Sequence, residues 1–509
     1  MRRPVLWILT LLAPCAALAQ APLVLEGDLP EGGPDFLVLP FEVPEGTLEI
    51  EVRHQSLTPD NIIDFGVRDP ARFRGWGGGN GEPAVVGVSA ASRSYLTGPL
   101  PAGTWGVDLG KAKIVTHPGR YHVEVTLRTA PTLPPQPERR PYQESPALET
   151  GARWYAGDLH VHSRESGDAK PTIDEVATFA RGRGLDFVEL SEHNTVSQLD
   201  FLGDVQPRHP KLLLLPGVEF TTYNGHANGI GATGYVDHHF GVEGASLDAA
   251  MAAFAAQGAV VSINHPVLDL GNNCIGCAWK QALPKAQLSG VEIGTGGWDK
   301  TGLLFTRQAI AWWDRLLAQG LHVTPLGGSD DHSGGTGTGA FDSPIGSATT
   351  LVWADELSAS AIIDGIRKGR TVVKLQGPGD PMAELTSGEA RVGDTLHATK
   401  ATLQAVVTGG TGAKVRWVSN GTAEEAVAVT ADPFTVSRDV DAPAAGEDRW
   451  RVEVLVDDQP RTVTGHLWIS QPQADPPKGC GCASGGGGLA ALLALLGALV
   501  RHRGRQVSR

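Results

Sequence analysis

Four short clusters of histidine and carboxylate residues follow apolar, β-branched runs, at points where a strand would pass into a loop. They occupy residues 158–162, 191–194, 264–266 and 329–332. In the first cluster the two-residue period of a strand places His160 and His162 on one side, and Asp158 shares that side. The clusters lie far apart in sequence, so only an α/β fold that gathers its strand ends can unite them. Such a site predicts a metallohydrolase.

The length and charge of the chain limit what else it can be. At 509 residues it is longer than one ordinary domain, and its hydrophobic content of 41% suits globular domains with a core. The net charge is −14, and the clearest basic clusters stand at the two termini. Nucleic acid is therefore not an expected partner, because phosphate binding needs a basic face on the folded part. A small-molecule substrate is expected instead.

Alternating apolar and polar runs flank the middle of the chain on both sides. Residues 22–128 contain such runs between Pro, Gly and Asp turns, without a convincing helix, which predicts an N-terminal β-sandwich. Residues 129–151 contain six prolines and are predicted to be a semi-rigid extended linker. Residues 380–471 return to alternating strands and predict a second, Ig-like β-sandwich.

Between the sandwiches, strand and helix patterns alternate. Helices are predicted at residues 172–183, 247–257, 305–319 and 356–368, with strands at 187–190, 212–215, 259–263, 291–293, 322–326 and 371–373. This alternation is typical of parallel strands covered by helices. The polar clusters follow the strands, where α/β barrels place their active sites. The fold class predicted for this region is therefore α/β.

The N-terminus has the order of a secretory signal peptide over residues 1–19. Arg2 and Arg3 precede an apolar run over residues 5–13, and small residues around Ala19 suit cleavage after it. An ordinary structural helix is the alternative. The signal predicts export.

Residues 472–509 predict a linker, a cysteine motif, a short membrane span and an Arg-rich end. Cys480 and Cys482 precede four glycines, an apolar stretch over residues 489–500 and four arginines. The tail resembles the sorting segment of myxobacterial surface proteins. That resemblance implies a sortase-like processing protease acting at Cys480 or Cys482, and anchoring in the membrane of the cell envelope. A buried C-terminal helix would not explain the glycines or the arginines.

Cys274 and Cys277 form an isolated Cys-x-x-Cys pair in a chain expected to be exported. A zinc site would need two more ligands nearby, and none follows at a suitable spacing. A local disulfide is the favoured interpretation, with two free thiols as the alternative.

The polar clusters occur in a longer series of motifs. The sequence at residues 157–163 precedes Ser166-Gly167-Asp168, and further motifs follow at residues 184–195, 215–222 and 225–228, before the two later clusters. Over about residues 154–375 this series resembles the polymerase and histidinol phosphatase (PHP) family, and most closely its carbaryl-hydrolase branch. The resemblance implies that residues 152–375 form a distorted (β/α) barrel, flanked by the N-terminal and C-terminal β-sandwiches.

The resemblance also implies roles for individual residues. The implied metal ligands are His160, His162, Asp168, His193, Glu219, His226, His265, Asp330 and His332, with Glu219 bridging metals and Glu219 and Asp330 assigned to catalysis. Glu192, Asn264 and Asp331 are expected to support the ligands or fix loops. Two motifs depart from the family: Glu192 stands where Asp is usual, and Ser166-Gly167-Asp168 replaces Ser-Asp-Gly.

These residues would hold two or three divalent ions, of Zn, Mn or Fe, and use a metal-bound hydroxide. Phosphoester hydrolysis is the expected reaction. Hydrolysis of a carboxyl ester or carbamate is the alternative, and an inactive surface binding protein is a third possibility of another class. Arg164 is the only basic residue near the first cluster. Tyr223 and Asn224 either contact substrate or pack in their loop, and His238 and His239 are expected in a solvent-facing loop.

Overall fold

The computed structural model describes residues 21–242, 244–295, 303–339 and 342–472. The predicted signal peptide and most of the predicted tail, including Cys480 and Cys482, lie outside the described residues. Of the helices that the structure describes, none combines the length and apolar character that a membrane crossing requires.

The N-terminal region is a β-sandwich of two antiparallel sheets. Its strands are β1 (Leu23–Leu29), β2 (Phe36–Val43), β3 (Glu49–Ser56), β4 (Ile62–Arg68), β5 (Phe73–Gly78), β6 (Ala84–Gly87), β7 (Gly103–Lys113) and β8 (Gly119–Arg128). The sheets have the orders β1-β8-β3-β6 and β2-β7-β4-β5. Their facing sides share one apolar core, in which Ile50, Val86 and Val107 are fully buried. Alternation along the strands therefore gives one buried face per sheet, as the sequence predicts.

The following segment, which the sequence predicts to be an extended linker, is attached to the domains beside it. The guanidinium of Arg139 donates to the carbonyl of Tyr95 in the sandwich and to the carboxylate of Asp200 in the central region. Residues 129–149 contain no helix or strand. The segment thus connects two packed domains and does not act as a free spacer.

The central region alternates strands and helices. Its elements are β9 (Thr150–Val161), α1 (Ile173–Gly182), β10 (Phe187–His193), α2 (Leu199–Val205), β11 (Leu213–Thr222), β12 (Gly225–Ile230), α3 (Leu247–Ala256), β13 (Val260–Ile263), β14 (Leu288–Gly294), α4 (Leu303–Leu317), β15 (Thr324–Gly327), β16 (Thr349–Glu356), α5 (Ala359–Arg367) and β17 (Thr371–Lys374). Helix α1 begins with a capping box in which Thr172 and Glu175 satisfy each other's backbone N–H groups.

The central sheet is mixed and not wholly parallel. Its order is β15-β14-β13-β12-β11-β10-β9-β16-β17. Strand β12 runs antiparallel to both neighbours, and β16 runs antiparallel to β9. Strand β12 was not predicted, because Gly225–Ile230 contains two glycines and polar residues where a buried strand is usually rich in β-branched and apolar residues.

Strands β9 and β15 are not neighbours in this order, but their ends approach each other beside the polar clusters. The amide of Asp330, just after β15, donates to the carbonyl of His160 at 2.8 Å, and the amide of His162 donates to Asp331 O at 3.0 Å. A single parallel bridge joins Val161 and Asp331. The ends of β9 and β15 are thereby held together at the edge where the ligands lie.

The C-terminal strands continue the central sheet. They are β18 (Met382–Ser387), β19 (Ala390–Arg391), β20 (Thr395–His397), β21 (Lys400–Thr408), β22 (Lys414–Ser419), β23 (Thr422–Ala423), β24 (Val427–Ala428), β25 (Phe434–Asp441), β26 (Glu447–Val456), β27 (Gln459–Thr464) and β28 (Leu467–Ser470). Strand β17 pairs with β27, and a second sheet has the order β19-β18-β21-β25. Leu403, Val452 and Leu467 are buried in the core between these sheets.

Candidate metal centre

Six strands and the segments after them bring the predicted ligands together. His160 lies near the end of β9 and His162 just after it, His193 ends β10, Glu219 lies in β11, His226 lies in β12, His265 follows β13, and Asp330 and His332 follow β15. Asp168 enters from the loop after β9. All nine side chains lie in one cluster, in which each has an imidazole or carboxylate neighbour within 4 Å. A mixed strand order thus produces the arrangement that the spacing of the motifs predicts.

Glu219 lies at the middle of the cluster and is fully buried. Its Oε1 is 3.2 Å from His265 Nε2 and 3.3 Å from both His160 Nε2 and His226 Nδ1. Its Oε2 is 2.7 Å from His193 Nδ1 and 3.7 Å from His162 Nε2. One carboxylate therefore faces five imidazoles, with each oxygen directed at a different set. A bridging position between two cations needs this arrangement.

Asp330 faces the same imidazoles from the opposite end of the sheet. Its Oδ1 lies 3.1 Å from His160 Nε2 and 3.2 Å from His162 Nε2, and its Oδ2 lies 4.0 Å from His265 Nε2. The His-x-His pair at the end of β9 is thus enclosed by two carboxylates, Glu219 and Asp330. These contacts define a group of ligands at the buried side of the cluster.

A second group lies toward solvent. Asp168 Oδ2 is 3.4 Å from His193 Nε2 and 3.6 Å from His332 Nε2, and those two nitrogens are 3.4 Å apart. The Asp168 side chain is 59% exposed, whereas His162, which stacks on both rings, is buried. The altered order of Ser166-Gly167-Asp168 therefore does not remove Asp168 from the site.

The donor atoms of these side chains lie close enough together to hold a cation. Three overlapping groups have ligand atoms within 4.8 Å of one another, namely His162 with His193 and His332, His160 with His265 and Asp330, and His160 with His162 and Glu219. Imidazole mixed with carboxylate suits Zn, Mn or Fe. A fourth group, of His226, His265 and Cys277, lies beside them, but its sulfur is part of a disulfide with Cys274.

The far nitrogen of several rings is held by a neighbour, which turns the other nitrogen inward. His160 Nδ1 lies 2.7 Å from Glu292 Oε1, His162 Nδ1 lies 3.0 Å from Ser166 Oγ, and His265 Nδ1 lies 3.1 Å from the Cys277 carbonyl. Such contacts fix the ring orientation and tautomer of metal-binding histidines. In these three rings it is Nε2 that faces the two carboxylates.

Buried donor atoms without a hydrogen bond provide a test of fit for a cation. Among the described residues, His160 Nε2, His162 Nε2 and Glu219 Oε2 are buried and lack a hydrogen-bond partner. Leaving three polar atoms unsatisfied in one spot costs several kcal/mol. A divalent cation would satisfy all three at once, so these residues fit the metal that their chemistry predicts.

The backbone is strained at the ligands themselves. His265 has a φ of 27° and Asp330 a φ of 57°, and Asn194, next to His193, has a φ of 50°. Non-glycine residues occupy this left-handed region only when the surroundings enforce it, at about 1–3 kcal/mol each. At Gly328 the strand end approaches so closely that an added Cβ would lie 2.4 Å from His160 Cβ. The fold thus tolerates local backbone strain that positions these side chains.

Charges within the cluster set its protonation. Burial opposes ionisation of Glu219, but the charges of His160, His193 and His226 outweigh it and hold the pKa of that carboxyl well below its usual range. Burial, with His332 and His193 nearby, lowers the pKa of His162 to about 3. Glu219 is therefore ionised and His162 neutral, which are the forms that bind a cation.

The residues expected to support the ligands occupy three different positions. Asn264 Nδ2 donates to Glu219 Oε1 at 2.9 Å and so orients the central carboxylate. Glu192 accepts from the amide and the hydroxyl of Ser163, directly after His162. Asp331 accepts from the amides of Ser333 and Gly335 and fixes the turn that follows. Asp158 likewise accepts from the backbone N–H groups of His160, Ser329 and Gly346.

Sequence reasoning missed one further carboxylate, Glu292. It lies in β14, is 2% exposed, and accepts from the amide of His265 as well as facing His160. A signal was present, because an acidic residue between Val291 and Ile293 must be paired if that apolar strand is buried. The partner could not be inferred, since it lies more than a hundred residues away.

One expectation was wrong. His238 and His239 do not face solvent: each is 1% exposed. Their rings pack edge-on against Trp76 of the N-terminal sandwich, and His239 Nε2 is 3.6 Å from Asp108. The burial arises from the other domain, so local sequence could not reveal it.

A cavity of about 720 Å³ opens beside the cluster. It is lined by His193, Glu219, His226, His265, Asp330 and His332, and also by Asp168 and Tyr223. The described residues that line it include no lysine or arginine. Arg164 is exposed and lies outside this lining. The described lining therefore offers an anionic substrate no ammonium or guanidinium group.

No protein-family model matches the chain, and no curated protein matches it. Among solved structures, the chain is similar to a two-domain protein containing a predicted PHP-like metal-dependent phosphoesterase from Bacteroides vulgatus, at 20% identity, over 65% of this chain and 99% of that chain, with a TM-score of 0.35. It is also similar to an amidohydrolase from Chromobacterium violaceum, at 18% identity, over 35% of this chain and 87% of that chain, with a TM-score of 0.25. At these TM-scores neither likeness carries weight for function, which must be inferred from the side chains.

Proposed function

We propose that this protein is a metal-dependent hydrolase of the PHP type, built on a distorted (β/α) barrel. The observation that supports this most is the central position of Glu219, whose two oxygens face five imidazoles in a buried cluster. Structural burial alone does not explain such a cluster, because unsatisfied imidazole and carboxylate atoms cost stability without a cation. An inactive binding protein would gain nothing from keeping it.

The residues of the cluster would serve in metal binding and in proton transfer. His160, His162, His265, Glu219 and Asp330 would hold metal at the buried side, and His193, His332 and Asp168 would hold it toward the cavity. When bound, divalent ions supply Lewis acidity and a water of lowered pKa. Asp330 Oδ2, the freer oxygen of its carboxylate, is placed to accept a proton from an attacking water. Asn264 keeps Glu219 in place throughout.

We propose phosphoesters as the first substrate class, because paired cations stabilise charge on both the attacking and the leaving oxygen. A second class, carboxyl esters or carbamates, is favoured by the cavity lining. No described lysine or arginine borders the cavity, so the described lining offers a phosphate no ammonium or guanidinium group. An uncharged carbonyl substrate does not need that neutralisation.

We further propose that the protein acts outside the cytoplasm, anchored in the cell envelope. The support is sequence evidence alone: a signal-like residue order at 1–19 and the tail containing Cys480 and Cys482. A sortase-like protease would process that tail. Mass spectrometry of the mature protein tests this, since cleavage near Ala19 and a modified terminus at one of the two cysteines are expected.

The function is tested with a chain spanning residues 22–475. Bound metal is measured by elemental analysis, and p-nitrophenyl phosphate, bis-p-nitrophenyl phosphate and p-nitrophenyl acetate are assayed beside His193→Ala. Two or more metal ions per chain, with phosphate turnover lost in the variant, would support the phosphoesterase. Metal-dependent acetate turnover alone would select the esterase, and metal-free, inactive protein would leave only a binding role.

A further inference from the structure

The cavity beside the metal cluster has walls from two domains. One wall is formed by the predicted ligands and by Tyr223 in the turn between β11 and β12. The other comes from the N-terminal sandwich and consists of Ile62, Asp64, Trp76, residues 77–79, Asn80 and Ala112. The sandwich therefore does more than space the central domain, since it encloses the same 720 Å³ that the ligands border.

Close contacts hold the sandwich wall against the ligands. The ring of Phe36 stacks on Tyr223 with 5.3 Å between ring centroids, and the Tyr223 hydroxyl donates to Asp64 Oδ2 at 2.8 Å. On the other side, an added Cβ on Gly167 would lie 2.3 Å from the carbonyl oxygen of Gly77. Since Gly167 precedes Asp168 and Tyr223 follows Glu219 by four residues, the wall is fixed relative to both groups of ligands.

Asp64 offers a free acceptor in this wall. Its Oδ2 is bound by Tyr223, whereas Oδ1 has no hydrogen-bond partner among the described residues. The described residues that line the cavity include no lysine or arginine that would pair with this oxygen. A carboxylate oxygen that is held in place and has a free lone pair accepts a hydrogen bond from a donor and repels an anion.

We propose that the N-terminal sandwich forms part of the substrate-binding site, and that Asp64 binds a hydrogen-bond-donating group, a hydroxyl or an ammonium, on the part of the substrate beyond the reacting group. This inference rests on the proposed hydrolase function. Tyr223 is the positioning residue, because its hydroxyl orients Asp64 across the domain boundary. Substrates that carry a second negative charge at this place are rejected.

The inference is tested by binding, with four phosphates that share a metal-binding head and differ in the tail. The probes are ethyl phosphate, 2-hydroxyethyl phosphate, phosphoethanolamine and phosphoglycolate, titrated calorimetrically into Mn²⁺-loaded protein. Burial raises the pKa of Asp64 to about 6, so the titrations are made at about pH 8, where Asp64 is ionised. Ethyl phosphate is the control ligand, because its apolar tail cannot donate a hydrogen bond to Asp64. Its affinity shows whether a variant is folded and loaded with metal.

Asp64→Asn is expected to weaken the binding of phosphoethanolamine by about tenfold or more, because the variant loses a hydrogen bond between two charged groups. Ethyl phosphate should stay within about twofold, and phosphoglycolate should bind more tightly. Tyr223→Phe keeps the ring stacked on Phe36. It should lose less affinity than Asp64→Asn, and the four phosphates should be affected in the same order. Asp28→Asn is the matched control, since Asp28 lies on the same sandwich, 62% exposed and outside the cavity.

The pattern across the tails separates the outcomes. A loss for phosphoethanolamine alone identifies an ammonium as the bound group, and an additional loss for 2-hydroxyethyl phosphate identifies a hydroxyl; either supports the inference. If all four tails change equally, or none changes, the inference fails while the hydrolase proposal stands. If no phosphate binds the wild-type protein, the inference and the phosphoester proposal both fail.

Discussion

Glu292 Oε1 lies 2.7 Å from His160 Nδ1, on the side of the ring that faces away from the metal cluster. The same carboxylate accepts from the amide of His265 and the hydroxyl of Thr295 through its other oxygen. One buried side chain on β14 therefore orients a ligand on β9 and another after β13. This contact links two predicted ligands that are more than a hundred residues apart in sequence.

Glu292→Gln should lower metal affinity by about tenfold to a hundredfold, the usual effect of losing a group that orients a ligating histidine. An amide can satisfy only one of the two sets of donors, because its NH₂ group would face N–H or O–H donors on the other side. Metal affinity is measured by competition with a chromogenic chelator.

Glu189→Gln provides the matched control. Glu189 is equally buried, on the nearby strand β10, and its oxygens lack hydrogen-bond partners among the described residues. Burial raises the pKa of Glu189 well above its usual range, so the neutral amide resembles its native form. Equal loss of affinity in both variants would show that Glu292 acts only through general packing.

Metal binding should release protons at neutral pH. Burial lowers the pKa of His332, but the carboxylate of Asp168 outweighs that effect and raises it to about 9. Asp330 and other carboxylates likewise hold the pKa of His160 well above 6.5. Both rings are therefore protonated in the metal-free protein at pH 7, and a cation must displace those protons.

Calorimetry in buffers of different ionisation enthalpy measures this release. The apparent binding enthalpy at pH 7 should depend on the buffer with a slope of more than one proton per chain, and the slope should decrease toward pH 9. Asp168→Asn should reduce it, since His332 loses the charge that raises its pKa. A slope of zero at pH 7 would contradict the protonation described for the cluster.

The convergence of the predicted ligands at one edge could be predicted from the sequence, whereas only part of their support could. His160, His162, His193 and His265 end strands or follow them, and strand ends of an α/β fold converge at one edge whatever the order of strands. Glu292 and the pair His238 and His239 depend on partners from other strands or another domain. Spacing along the chain carries no information about such contacts, so these assignments required the structure.

The same limit applies to the sheet and to the cavity. Tyr223 was assigned either to substrate contact or to loop packing, and the structure places it against Asp64, in a domain the sequence treated as separate. The antiparallel strand Gly225–Ile230 was missed because its stability comes from neighbours on both sides and not from its own residues.

Glu192→Gln should change the pH dependence of stability. Burial raises the pKa of Glu192 to about 7 from an unfolded value near 4.3. A carboxyl whose pKa is raised on folding contributes stability below the unfolded pKa, and that contribution is lost as pH rises through about 7. The amide does not ionise, so the variant should gain stability relative to the wild type between about pH 5 and pH 8.

The gain is expected to be about 1–3 kcal/mol, since one unit of pKa corresponds to about 1.4 kcal/mol. Urea unfolding of metal-free protein at both pH values measures it. Glu425→Gln, an exposed site far along the chain, serves as the control and should show no such pH dependence. If the stability of Glu192→Gln relative to the wild type fell as the pH rose, the raised pKa of Glu192 would be contradicted.

The loop that contains Cys274 and Cys277 should affect metal binding more than global stability. Its backbone carbonyls face two ligands: Ile275 O lies 3.2 Å from His226 Nε2, and Cys277 O lies 3.1 Å from His265 Nδ1. The disulfide closes this short loop. By the chain-entropy relation, closing so short a loop stabilises the fold by only about 2 kcal/mol. Displacing the two carbonyls, in contrast, would leave two imidazole rings without the contact that fixes their orientation.

Replacing both cysteines by serine should therefore lower the thermal midpoint by only a few degrees and metal affinity by about tenfold. Thermal unfolding of metal-free protein and chelator competition measure the two effects separately. Treating the wild type with a reductant should reproduce the loss of affinity, and reoxidation should restore it. If the midpoint of the metal-free protein collapses while the affinity of the folded protein is unchanged, the loop stabilises the fold and does not orient His226 and His265.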